Sequence, residues 1–334
     1  MPDKDTTILV TGGTGLVGSH LLRQLLNKGY HRIRAVRRKD SSMQLVADIQ
    51  DQIEWVEGDI LDIFFLDDVM EDIQQVYHAA AIVSSHPGEE DLMRKVNVEG
   101  TANVVNAALK AGVDKFLHVS SIAAIGRRKD KEQISEKSKW ERNPLNSSYA
   151  ISKYLAEQEA WRGMAEGLNV AIINPAIVLG QGIWGKGSSQ FFTKVWDGLR
   201  FYPVGGSAFV DANDVASMSV SLMESPLKNR RFIASAVNKS YKELFSDIAR
   251  RLDRQPPSVR VAPWLAQTVA NVLSFPTQLL GVKTPLPRDI AKLTSHTFYY
   301  DNERSRDELN FEYTPIDQTL ERICKAFQLD HSSP

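Results

Sequence analysis

Tyr149 and Lys153 stand four residues apart in the run Ser148-Tyr149-Ala150-Ile151-Ser152-Lys153. On a helix that spacing puts both side chains on one face. A phenol ionises at about pH 10 and is a poor base at neutral pH, but a neighbouring ammonium favours its phenolate. Upstream, His118-Val119-Ser120-Ser121-Ile122-Ala123-Ala124-Ile125-Gly126 begins as a strand, so a serine hydroxyl at its end could orient a carbonyl or alcohol. A second constellation lies at Thr11-Gly12-Gly13-Thr14-Gly15-Leu16-Val17-Gly18, between the apolar run Ile8-Leu9-Val10 and a helix-like stretch. Gly12 permits a tight turn, Gly15 leaves backbone N–H groups open to phosphates, and Gly18 lets the helix lie close on the strand. The helix offers its free N–H groups and positive dipole end to an anion. Gly13, Gly15 and Gly18 also fit the looser G-x-G-x-x-G pattern, so spacing alone leaves the register of the turn open.

These groups need elements to carry them. Strand-like segments at Thr7–Thr11, Arg32–Val36, Ile53–Glu57, Gln75–Ala79, Lys115–Ser120 and Val170–Asn174 alternate with helical ones. The helices are expected over Val17–Lys28, Leu66–Met70, Asp91–Ala111 and Ser148–Glu166. Such alternation predicts an α/β fold, a Rossmann-type doubly wound parallel sheet with helices on both faces. Ligands bind at the carboxyl ends of such strands. The glycine turn, Arg37, Asp59, Ala80 and Ser121 all follow strands, so one site is expected. The dinucleotide-binding domain is expected over residues 1–175. Glycines and prolines then punctuate short segments, which predicts a smaller, discontinuous substrate lobe over 176–330, with about 208–235 returning to the first domain. Gly180–Gly187 reads either as a mobile loop or as a set of tight turns. Residues 127–139 are charged and aperiodic, and read as a solvated loop. The broken apolar stretch Trp264–Val282 reads as a helix pair or interrupted helix over the substrate pocket, with an interfacial lipid-contacting segment as the other reading.

Composition narrows the classes. The chain has 334 residues and a formal net charge of −1, so nothing argues for nucleic acid or an acidic membrane. Its single cysteine, Cys324, excludes an internal disulfide and fits core packing beside Leu320, Ile323 and Phe327. No metal-ligand spacing stands out. Met1–Thr7 is polar and lacks a signal-peptide apolar region, so the expected location is the cytoplasm.

Together the motifs resemble the extended branch of the short-chain dehydrogenase/reductase superfamily, the NAD-dependent epimerase/dehydratase group, over roughly residues 6 to 325. In look the chain is most similar to dihydroflavonol reductase-like members. The resemblance implies that Gly12, Thr14, Gly15, Leu16, Val17 and Gly18 hold the cofactor pyrophosphate. It implies that Asp59 and Ile60, in Val56-Glu57-Gly58-Asp59-Ile60, lie near the adenine. Ala79, Ala80 and Ala81 would close over the cofactor, and Ser120, Pro175, Ile177 and Val178 would line it. Ser121, with Gly126 five positions later, matches the catalytic serine, with Ser120 in reserve. Tyr149 and Lys153 would complete the catalytic group, both also touching cofactor. Asn97, in Val96-Asn97-Val98-Glu99-Gly100-Thr101, would serve a proton relay or brace the backbone at a helix start.

An NAD site usually has an acid at the end of the second strand. Here Arg37 stands there, with Arg38 and Lys39 beside it. Guanidinium pairs with a 2′-phosphate that an acid would repel, so NADP(H) is expected, with NAD(H) as the second choice. Many nucleotide-sugar enzymes of this branch carry an arginine that grips a diphosphate. Ser207, in Gly206-Ser207-Ala208-Phe209-Val210-Asp211, occupies that position. The expected reaction is therefore hydride transfer to an aldehyde or ketone. The alternatives are a nucleotide-sugar epimerase or dehydratase, a 3-beta-hydroxysteroid dehydrogenase-like enzyme, and a non-catalytic dinucleotide sensor. The expected partners are a small carbonyl or alcohol substrate and a second copy of the chain. The dimer would pair Asp91–Ala111 and Ser148–Glu166 through Val96, Ala102, Val105, Ala108, Leu155 and Ala156.

Overall fold

Short apolar runs ending at polar turns form β1 (Ile8–Thr11), β2 (Ile33–Arg37), β3 (Glu54–Glu57), β4 (Gln75–His78), β5 (Lys115–Val119) and β6 (Val170–Pro175). The second half adds β7 (Ile177–Leu179), β8 (Phe201–Pro203), β9 (Gly206–Asp211), β10 (Arg230–Ala234), β11 (Val237–Ser240) and β12 (Val259–Val261). These come from a computed structural model that describes residues 3–86, 88–127, 133–270 and 288–332. Seven strands form one parallel sheet in the order β10-β6-β5-β4-β1-β2-β3. The order reverses between β1 and β4, where the crossovers diverge and leave a crevice at the carboxyl edge. This is the Rossmann-like doubly wound fold.

The helices that matter to the site are α1 (Leu16–Asn27), α2 (Ile63–Val69), α3 (Glu90–Met93), α4 (Gly100–Ala111) and α5 (Ser148–Ala165). Strand alternation divides the core into two layers. Ile8 and Val10 pack with Leu21, Leu22 and Leu25 on one face, and Leu9 packs with Val104, Val105 and Phe116 on the other. The expected single helix over Asp91–Ala111 is interrupted. A π-helical stretch, Arg94–Glu99, separates α3 from α4. Its widened turn carries Asn97 inward, where the side chain is buried.

A smaller lobe packs α6 (Gln190–Trp196), α8 (Tyr241–Arg251) and the C-terminal helix Ile316–Ser332 around short sheets, while α7 (Ala212–Glu224) joins the core of the main sheet through Val215, Met218 and Leu222. β9 pairs with β7 in parallel and with β11 antiparallel, and β12 pairs with β8. Residues return to the main sheet at β10, which pairs with β6, while α7 lies against α1. Cys324 is buried in the lobe core with Leu320, Ile323 and Phe327.

Two local expectations change. Residues 127–139 do not form a solvated loop throughout. Ile134 is buried and bridges to Tyr300, and the buried Glu136 carboxylate accepts from Ile233 N at 2.9 Å. An acid inside a charged run reads as surface, yet a backbone donor on β10 offsets its burial. In Gly180–Gly187, Gly185 and Gly187 take φ of +87° and +52°, which serves tight turns. Trp184 near them is pinned, donating to Asp330 at 2.8 Å. Of the Trp264–Val282 stretch, residues 264–270 are helical with Trp264 exposed, and the remainder lies outside the described residues.

Candidate active site

The glycine turn is fixed by close backbone packing. Gly12 has φ +75°, and a Cβ there would lie 2.6 Å from the Ala79–Ala80 peptide. A Cβ on Gly18 would lie 2.1 Å from Gly12 O. Gly15 differs, because its Cβ would meet only Gly12 O at 3.3 Å. Thr14, Leu16 and Val17 are half-buried and Gly15 is exposed, so the turn faces an open space. Gly15 caps α1 with no side-chain hydrogen bond, leaving first-turn N–H groups available to an anion. The cradle fits a dinucleotide pyrophosphate on these grounds.

Around it, Arg37 ends β2 and lies 3.2 Å from Glu57, while Arg38 lies 3.5 Å from Asp40. Asp59 accepts from Leu61 N at 2.9 Å, and Ile60 is buried beneath it. Ala79 and Ala80 follow β4 half-buried, and Ala81 is exposed. Pro175 closes β6, with Ile177 and Val178 half-buried in β7. All of these lie after or at the ends of strands, on the carboxyl side of the sheets.

Ser121 follows β5 and caps the short turn Ile122–Ile125, accepting from Ala123 N at 3.1 Å. Gly126 ends that turn at φ +96°. Tyr149 sits in the first turn of α5, whose cap Ser147 accepts from Ala150 N at 3.2 Å. The Ser121 side chain interacts with the Tyr149 phenol. Burial raises the phenol above its ordinary value of 10.0, while Ser121 and then the Arg127 guanidinium pull it back. Lys153 is only 2% exposed and donates to Val119 O at 2.9 Å. Burial lowers its ammonium to about 8, with Glu157 pushing upward. The Arg127 guanidinium adds a positive charge near the phenol, and the Lys153 ammonium meets a strand-end carbonyl.

Two expected residues are engaged elsewhere. The Ser120 hydroxyl is buried and donates to the Glu157 carboxylate at 2.6 Å. Asn97 accepts from Ile82 N at 2.7 Å and donates to Ile82 O at 2.9 Å and Ser152 at 3.0 Å. Its amide braces the loop after β4 against α5.

Sequence reasoning missed Arg127 and Glu157. Arg127 donates to Leu145 O at 2.9 Å, lies 5.7 Å from the Phe298 ring centre, and its charge also acts on Tyr241 and Tyr300. Its signal was a cation just beyond the serine turn. That of Glu157 was its place one helical turn after Lys153. Beneath the site His78 and His118 stack at 5.5 Å. Their rings are held neutral by burial and the Lys153 charge, His78 at about 3 and His118 well below 6.5.

Comparison with known proteins bears on this arrangement. The sequence pattern described as the NAD dependent epimerase/dehydratase family matches residues 8–234. A putative dihydroflavonol 4-reductase of Synechocystis is 30% identical over 96% of this chain and 94% of that protein. Sterol demethylase protein B of Methylococcus capsulatus is 27% identical over 91% of this chain and 92% of its own. The crystal structure of gox2253 superposes at a TM-score of 0.84 with 26% identity, covering 98% of this chain and 99% of that one.

Proposed function

Since the chain belongs to the NAD-dependent epimerase/dehydratase family, and is an NAD(P)-dependent oxidoreductase of the extended short-chain dehydrogenase/reductase type, we propose that it reduces an aldehyde or ketone with NADP(H). One observation carries this reading. The Ser121 side chain interacts with the Tyr149 phenol just beyond the carboxyl end of β5, with Lys153 one turn along the same helix, and the glycine turn follows β1 of the same parallel sheet. When bound, the nicotinamide would supply the hydride. The Tyr149 hydroxyl gives its proton to the substrate oxygen, and its raised pKa keeps that proton in place at neutral pH. Ser121 donates a hydrogen bond to the same oxygen as charge develops there. Lys153 holds the cofactor ribose. Gly12, Thr14, Gly15, Leu16, Val17 and Gly18 bind the pyrophosphate through backbone N–H groups, and Arg37 with Arg38 takes the 2′-phosphate.

Ser207 lies buried in β9 opposite Lys239, which supports a substrate without a gripped diphosphate. The reductase name of the Synechocystis relative supports the same choice. A homodimer through α4 and α5 belongs to the proposal. Leu155 on α5 and Leu92 on the preceding α3 are exposed, whereas Val96, Val105, Ala108 and Ala156 are already buried within the subunit.

The test is NADPH consumption against a panel of aldehydes, ketones and 3-ketosteroids, with UDP- and GDP-sugars followed by product analysis. Carbonyl-dependent oxidation of NADPH is expected. Sugar conversion without net oxidation would replace the reductase reading with the epimerase one. Tyr149→Phe should cut turnover by roughly 100- to 10,000-fold while NADPH still binds, and near-normal turnover would remove Tyr149 from proton transfer.

A further inference from the structure

Glu157 lies one helical turn beyond Lys153 and two beyond Tyr149 on α5. Its carboxylate is only 1% exposed. Such a group persists inside a protein when hydrogen-bond donors and a counter-charge meet it. Here Ser120 Oγ donates to Oε2 at 2.6 Å and Asn174 Nδ2 donates to it at 2.7 Å. Trp161 Nε1 donates to Oε1 at 3.3 Å and Arg231 Nη1 at 3.0 Å. The Asn174 amide also donates to Ser121 O at 3.0 Å. Arg231 in turn donates to Glu136 O at 2.6 Å and Ser138 O at 3.1 Å. One carboxylate thus ties the ends of β5, β6 and β10 to the helix that carries Tyr149 and Lys153. It grips the residue before Ser121 directly, and the Ser121 carbonyl through Asn174.

We propose that Glu157, paired with Arg231, is a positioning residue for the hydride-transfer site: it locks the Ser120–Ser121 backbone against α5 and sets a fixed negative charge one helical turn from Lys153. The inference rests on the reductase reading of Tyr149 and Lys153. Lys153 is buried and needs that charge, since burial alone draws its ammonium toward the neutral form. Among the described residues, Glu157 is the negative charge that acts on it. His78 from β4 and His118 from β5 are neutral. Arg231 from β10 lies across Glu157, and Tyr149 and Arg127 face each other beyond Ser121.

The experiment is NADPH affinity by fluorescence, with no carbonyl substrate present, from about pH 6 to about pH 10. Wild type should weaken as pH passes about 8, when Lys153 loses its proton, and Lys153→Met should lack that limb. In Glu157→Gln/Arg231→Met the whole ion pair is gone, so no buried charge stands alone. Its limb should move to lower pH at a Tm close to that of wild type. Glu157→Asp keeps the charge and should keep the wild-type limb. A folded double variant with an unmoved limb would overturn the inference alone. A wild type with no limb, or one that survives Lys153→Met, would instead overturn the assignment of Lys153 and the inference with it. Should the double variant not fold, Ser120→Ala reads the positional half. A kcat lower by about tenfold or more at unchanged NADPH Kd supports it, and an unchanged kcat overturns it.

Discussion

On the proposed NADP(H) reading, Arg37 is the side chain that would set the cofactor preference. It ends β2 where a carboxylate would bond the ribose hydroxyls of NAD. Its guanidinium is held near the Glu57 carboxylate at 3.2 Å, which orients it while leaving it at the rim of the crevice. Charge-assisted hydrogen bonds to a phosphate are worth about 1.5–3 kcal/mol each. Arg37→Asp should therefore weaken NADPH by roughly 10- to 100-fold and leave NADH nearly unchanged, as titration by fluorescence would read. Equal losses for both cofactors would remove Arg37 from the phosphate site. At the same scale, Ser120 and Ser121 are neighbours in sequence with the same side chain. Their partners differ: the Ser120 hydroxyl donates to Glu157 on α5, and the Ser121 hydroxyl accepts from Ala123 N in the turn that follows.

At the scale of elements, the strand β1, the glycine turn and α1 act as one unit. Gly18 and Gly15 are separable in it. An added methyl at Gly18 collides with Gly12 O at 2.1 Å, which the backbone cannot relieve without moving α1. Overpacking of this kind typically costs about 1–3 kcal/mol. Gly15 has φ −85°, and an added methyl would meet only Gly12 O at 3.3 Å, a tight contact that a small shift relieves, unlike the 2.1 Å collision at Gly18. Gly18→Ala should lower both Tm and NADPH affinity, whereas Gly15→Ala should keep Tm and lose affinity alone. Calorimetry and binding, run on both variants, separate the fold of the turn from its contact with phosphate. Equal Tm losses would show that Gly15 serves packing. The unit is legible in the amino-acid sequence, since glycine spacing, the preceding apolar run and the leucine face of α1 are all local. The π-helical stretch Arg94–Glu99 is not, because Asn97 finds its partners in Ile82 and Ser152, on other elements.

The whole molecule sets the pH range in which the sheet holds. His78 and His118 are side by side on β4 and β5, buried and neutral. Their folded pKa values lie below the unfolded value of 6.5. As pH falls below 6.5 the unfolded chain takes up protons that the folded one refuses, so stability is present at neutral pH and is lost on acidification. The slope is about 1.4 kcal/mol per pH unit for each ring until the folded pKa is reached. Both nitrogens of His118 lack a hydrogen-bond partner, whereas His78 bonds Thr11 at 2.7 Å and Thr101 at 2.9 Å. His118→Phe should raise stability at about pH 5 and lower the acid slope of denaturant-measured ΔG by about 1.4 kcal/mol per pH unit. An unchanged slope would mean that His118 is protonated inside the fold.

Alternating strand and helix patterns, the glycine turn, and the Tyr149 and Lys153 pair were determined by the sequence itself, because each depends on contacts within one turn or one strand–helix unit. Strand alternation even placed Leu9 opposite Ile8 and Val10 in the core. The tertiary structure alone decided which charge acts on which group. Arg127 faces Tyr149, and Glu157 collects donors from Ser120, Trp161, Asn174 and Arg231. It also buried Ile134 and Glu136 within a run that reads as surface. The physical reason is the same in each case. Electrostatic partners are chosen by distance in space and by loss of water, and neither is encoded in the spacing of residues along the chain.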